Sequence, residues 1–167
     1  MLSLASEVLK VDFWFSAHET AELAARVEEQ GAAFYRRVAE HAADETVRNM
    51  AAFFAEQEEE HRDVFRGIAS QFHGKTTEYC YAVDIRDMLL TSLREIEDIF
   101  ASASAAALDE SGKIGCLNLA LRVEATSVVV YGRMLRTYDE RYAAVLARIL
   151  SEEEKHLQMV TIVLSKI

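Results

Sequence analysis

The sequence predicts an all-α protein: a four-helix bundle of two antiparallel helical hairpins joined by a long, partly helical crossover. Three observations predict it. The 167 residues contain no proline and only six glycines, so the usual punctuation of turns is scarce and long helices are expected. Apolar residues, about half of the chain, recur at three- and four-residue spacings, which gives a helix one buried face. A polar pattern in the first half of the chain returns about 95 residues later in the second half, as expected of two similar hairpins.

Helix 1 is predicted to start at Ser16, whose spacing to Glu19 is that of a capping box, and to run to about His41. Asp44 is a good N-cap for helix 2, which should stop before Gly74. From Lys75 to about Gly112 lies the crossover, with an interrupted helical segment over Asp84–Leu108. Helix 3 is expected from Lys113 to Arg136. Helix 4 is expected from Thr137, a second capping box with Glu140, almost to Ile167. No linker divides the chain, so residues 1–167 read as one domain. The apolar segment Val11–Phe15 is expected to pack under the bundle.

The formal charge is −10. Nucleic-acid binders usually carry a basic face, and an anionic membrane would repel this chain, so neither partner is expected. No run of about 18 uncharged apolar residues occurs, so no membrane span is expected. Met1 to Lys10 has no charged head before an apolar run and does not read as a signal peptide. Cys80 and Cys116 have no CxxC spacing and build no metal ribbon or disulfide framework. Reduced thiols in a cytoplasmic protein are the expectation.

The repeated pattern carries the chemistry. Glu28 is followed by Tyr35, and Glu124 by Tyr131, seven residues on in each case. Glu58 is followed by His61, and Glu153 by His156, three residues on. Positions three, four and seven apart share a helix face. Glu28 falls on the stripe of Ala21, Ala24 and Ala32; Glu58 and His61 on that of Phe54, Phe65 and Ile68. Glu124 falls with Leu117, Leu121 and Val128; Glu153 and His156 with Leu146, Ile149 and Val160. An isolated buried carboxylate is costly and is normally neutralised, paired or bound to metal. No arginine or lysine lies on these stripes, whereas four carboxylates balance two divalent cations. One Glu-x-x-His alone is as often a surface pair as a ligand pair. Doubled, in register and on apolar faces, it predicts a metal site built from Glu28, Glu58, His61, Glu124, Glu153 and His156.

Other polar residues have plainer expectations. Glu59, Glu60, Glu152 and Glu154 fall off the stripes and should face solvent. His18, His41 and His73 should be surface or capping residues. Met50, Met88, Met134 and Met159 should fill the core.

The segments from Val27 to Tyr35, Glu58 to His61, Glu124 to Tyr131 and Glu153 to His156 resemble the rubrerythrin-like branch of the ferritin-like superfamily. The resemblance covers nearly the whole chain and is weakest from Lys75 to Gly112. It implies a ferritin-like bundle with two metal ions. Glu58 and Glu153 would bridge them, Glu28 and Glu124 would be terminal ligands, and each histidine would bind one ion. Tyr35 and Tyr131 would hydrogen-bond ligand carboxylates. Peroxide-reducing rubrerythrins carry a further glutamate where this chain has Ser127, so the six-residue set is closer to the bacterioferritin centre, although Glu59 replaces the haem-binding methionine of that family. There is no four-cysteine iron site, so a separate electron donor is implied.

The leading functional expectation is a non-haem diiron oxidoreductase acting on hydrogen peroxide or dioxygen, with iron as the metal and manganese or zinc as alternatives. A second is a structural protein in which metal locks two hairpins together. A third is a diiron hydroxylase of an organic substrate, which would need a pocket beside the metals; acidic charge argues against transfer RNA in that role. A homodimer is expected from the habits of relatives.

Overall fold

In a computed structural model, the described residues are 17–72, 105–137 and 140–167, with short stretches between 87 and 98. All regular structure among them is helical. The principal elements are α1 (Ala17–His41), α2 (Glu45–Phe72), α3 (Ala105–Thr137) and α4 (Ala143–Leu164), with a 3-10 turn at Glu140–Tyr142 before α4. The Ser16 cap, Val11–Phe15, His73 and Cys80 lie outside the described residues. Of the crossover segment Asp84–Leu108, the described residues between 87 and 98 and the run 105–108 are helical.

α1 and α2 form one hairpin and α3 and α4 a second, while α1 and α2 both also touch α3. The α1–α2 connection is short because its polar groups are satisfied locally. The Val47 amide donates to Asp44 Oδ1 at 3.0 Å. This bond, together with Lys113, holds the Asp44 carboxyl below its usual range. Arg48 Nη1 donates to the carbonyls of Ala42 and Ala43 at 2.9 and 2.6 Å, capping the end of α1. Lys113 Nζ lies 3.2 Å from Asp44 Oδ2 and ties the second hairpin to this turn. His18 Nδ1 contacts the Ala69 carbonyl at 2.9 Å, joining the other ends of α1 and α2.

The second hairpin turns differently from the sequence expectation. Thr137 is still within α3, and α4 begins after Tyr142 with no side-chain cap. The Thr137/Glu140 capping box therefore does not start this helix. Packing anchors this turn instead: Tyr142 is buried, lies with its ring tilted against Phe72 and donates its hydroxyl to Gln71 at 2.9 Å.

Two apolar clusters fill the interior. One contains Ala17–Ala25 side chains of α1, Phe65 and Phe72 of α2, Tyr131 and Met134 of α3, and Leu146 and Ile149 of α4. The other contains Phe34 and Val38 of α1, Val47 and Phe54 of α2, Leu117 and Val123 of α3, and Val160 of α4. Along every helix the Glu and Glu-x-x-His positions fall between the two clusters. The clusters follow one another in opposite order on α1 and α2, and again on α3 and α4. That is why one polar level on each helix meets the same level on the others. Burying each large side chain in these clusters contributes about 1.5–3 kcal/mol. Met50 and Met134 are buried and Met88 packs against the first cluster, but Met159 is 38% exposed. It lies off the inward line of Glu153, His156 and Val160.

Gly112 breaks α3 with φ 62° and ψ −166°, a conformation open in practice only to glycine. This is the physical basis for the helix start expected at Lys113. Gly112→Ala should destabilise the fold by about 1–3 kcal/mol. Gly67→Ala, at an exposed helical position with nothing within 4 Å, should stabilise it by about 0.5–1 kcal/mol. Urea melts of the two variants check the contrast, and equal effects would refute it. One described helix, Gly112–Arg136, is long and apolar enough to cross a membrane by length and composition alone. It carries the buried Glu124 and packs into both clusters.

Candidate metal centre

Each helix delivers its polar residues to the gap between the clusters. Glu28 comes from α1, Glu58 and His61 from α2, Glu124 from α3, and Glu153 and His156 from α4. All six side chains are buried, none more than 2% exposed as a residue. Their potential ligand atoms form two groups, Glu28–Glu58–His61–Glu153 and Glu58–Glu124–Glu153–His156. Within each group the atoms lie within 4.8 Å of one another, and Glu58 and Glu153 belong to both.

The polar bookkeeping inside the gap does not close with protein atoms alone. His61 Nδ1, His156 Nδ1, Glu124 Oε2 and both carboxylate oxygens of Glu153 are buried without a hydrogen bond. His61 Nδ1 is only 2.8 Å from Glu153 Oε1, but the pair is not aligned as a hydrogen bond. It also lies 3.7 Å from Glu58 Oε2 and 3.9 Å from Glu28 Oε2. His156 Nδ1 stands 3.5 Å from Glu124 Oε2. The histidine rings are 6.3 Å apart and inclined by 27°. Orphaned buried atoms are rare because each forfeits its hydration. Five of them converging on one gap fit divalent cations, which accept several oxygen and nitrogen donors at once.

Electrostatics agrees with that fit. Among the described residues, the ion pairs of the four glutamates are with histidine alone. Burial first, and then the neighbouring Glu58, raises the Glu28 carboxyl well above its ordinary range. Burial and Glu153 push Glu58 to about 7. Burial raises Glu153 as well, partly offset by His61. Burial would lower the His61 imidazole, but the surrounding carboxylates outweigh it and push it up. Without cations, therefore, the cluster holds protons.

The tyrosines connect the hairpins crosswise. Tyr35 of α1 donates to Glu124 Oε1 of α3, and Tyr131 of α3 donates to Glu28 Oε1 of α1. Burial and the adjacent carboxylates raise both phenols well above their ordinary value, so the hydroxyls stay protonated and remain donors. A residue seven positions on is about 10.5 Å along its own helix, so each tyrosine serves the facing helix.

Glu152 corrects the sequence expectation. It is half-buried rather than turned to solvent, and its Oε2 lies 2.9 Å from His61 Nε2. Glu59 is also half-buried and pairs with Arg36, while Glu60 and Glu154 are exposed. Glu152 lies off the α4 stripe, and stripe periodicity alone could not find it. Its position just before the ligand-type Glu153 was the available signal. Compared with known proteins, the chain matches no family model, no curated protein and no solved structure.

Proposed function

We propose that the chain is a ferritin-like four-helix bundle, similar in its centre to rubrerythrins, that holds two iron ions and reduces hydrogen peroxide or dioxygen. The observation that carries this reading is the pair of donor groups overlapping on Glu58 and Glu153. Carboxylates shared between the groups would hold two cations close enough to act on one small oxidant. When bound, such a pair supplies two electrons and polarises the oxidant.

The chain's own residues do the rest. Glu28 and Glu124 would close the two ends of the site, and His61 and His156 would each add a nitrogen donor. Tyr35 and Tyr131 fix the orientation of Glu124 and Glu28 through their hydrogen bonds. The apolar clusters on either side limit entry of water. Electrons return from a donor outside these 167 residues. Ser127 is buried one turn beyond Glu124 and is too short to reach the site as a glutamate would. This favours, as a second reading, a metal lock without turnover.

Stopped-flow oxidation of anaerobically loaded protein separates the two readings. The diferrous chain should be oxidised by peroxide or dioxygen faster than ferrous iron in the same buffer. Ser127→Glu should speed the peroxide reaction relative to the dioxygen reaction. Oxidation no faster than free ferrous iron would leave only the lock.

A further inference from the structure

The two halves of the centre differ in what stands behind each histidine. Glu58 and His61 recur 95 residues on as Glu153 and His156. By the same register, the residue that corresponds to Glu152 is Gln57. Glu152 meets His61 Nε2 at 2.9 Å, while His61 Nδ1 points toward the carboxylates of the gap. His156 has different surroundings. Its ring stacks on Phe54 at 4.3 Å and 28°, with the edge of Phe53 at 6.1 Å. Among the described residues, no side chain hydrogen-bonds its Nε2, and the position in register with Glu152 offers an uncharged amide.

A carboxylate behind a ligating imidazole fixes the ring and its tautomer and makes the other nitrogen a better donor; losing such a partner typically costs about 10–100-fold in metal affinity. Glu152 also adds one negative charge to the His61 side, with Arg148 Nε 3.9 Å from its other oxygen as a partial counterweight. We propose that the two metal positions are unequal, that the His61 position fills first, and that Glu152 is the positioning residue that makes it so. This rests on the metal-binding reading above. The His156 position, backed by the rings of Phe54 and Phe53, is the exchangeable one. The centre therefore passes through a one-metal state in which Glu28, Glu58, His61 and Glu153 are engaged and Glu124 and His156 are free.

The test is anaerobic titration of the metal-free full chain with cobalt(II), followed by calorimetry and visible absorption. The wild type should show two steps separated by about 10–100-fold in affinity. His61→Ala should abolish the tighter step, and His156→Ala should keep it. Glu152→Gln, which keeps an acceptor oxygen but removes the charge, should close the gap between the steps. Gln57→Glu, at a half-buried position, should close it from the other side by tightening the second step, an effect that a merely structural role for Glu152 would not produce. Two cobalt ions of equal affinity in the wild type, or a gap unchanged in both Glu152→Gln and Gln57→Glu, would overturn this proposal and leave the metal centre standing. A wild type that takes up no cobalt would overturn both.

Discussion

On the proposed two-metal reading, Glu58→Ala or Glu153→Ala is expected to lower the metal content of the chain from two ions to none. Each of these carboxylates belongs to both donor groups, so one truncation takes a donor from both positions and removes the shared ligand between them. Loss of Glu28 or Glu124 should be milder, because each belongs to one group only. Metal analysis after equilibration with a small excess of iron(II) or zinc, with helical content checked by circular dichroism, gives the answer. Two ions per chain retained in both variants would show that neither carboxylate bridges. The isosteric substitution at Glu153 carries a second signature. In the metal-free chain Glu153 is buried among other carboxylates, which raise its pKa along with burial itself. Glu153→Gln should therefore melt higher than the metal-free wild type near pH 8, while gaining nothing from added metal. A residue kept at the expense of the metal-free fold and needed only for metal should behave in this way.

Metal removal is expected to lower the melting temperature, and the drop should widen as pH rises from 5 to 8. Ions that bind only the folded chain stabilise it by about 4 kcal/mol per site at a thousand times the dissociation constant. For a chain of this size that corresponds to a shift on the order of 15–30 °C for two sites. The pH dependence follows from the direction of the shifts. Below the unfolded value near 4.5, a raised glutamate is protonated in both states and costs nothing. As pH climbs toward the folded value, about 7 for Glu58, the unfolded chain gives up the proton and the folded chain keeps it. Stability then falls by about 1.4 kcal/mol per pH unit for each such proton. His61, whose pKa is pushed up, acts in the same direction. Its charge stabilises the folded chain fully below about 6.5, and that stabilisation is lost as pH rises above it. Metal ions displace these protons, so the loaded chain escapes the loss and binds more tightly at higher pH. Thermal melts with and without a strong chelator at pH 5, 6.5 and 8 measure the gap. A metal-free chain that becomes more stable between pH 5 and 8 would contradict the buried carboxylate cluster.

The sequence by itself determined the helical class, the inward faces, and the identity of the six residues that meet between the clusters. It could do so because helical periodicity is local: Glu28 is fixed on the stripe of Ala21, Ala24 and Ala32 whatever the rest of the chain does. The doubled Glu-x-x-His spacing did the same for Glu58, His61, Glu153 and His156, and the stripe of Leu117, Leu121 and Val128 for Glu124. Local signals also located the Asp44 cap and the break at Gly112. The Thr137 cap was misread because a capping box is only one way to begin a helix, and here a buried Tyr142 anchors the turn instead. Tertiary structure alone decided which partners meet across helices. The crosswise pairs Tyr35–Glu124 and Tyr131–Glu28 depend on how the hairpins are aligned along one another. The contact of Glu152 with His61 depends on how far α4 is rotated toward α2. Rotation and axial offset between helices are set by side chains distant in sequence. A single helix's spacing therefore shows which residues face inward, but not which atom each one finds there.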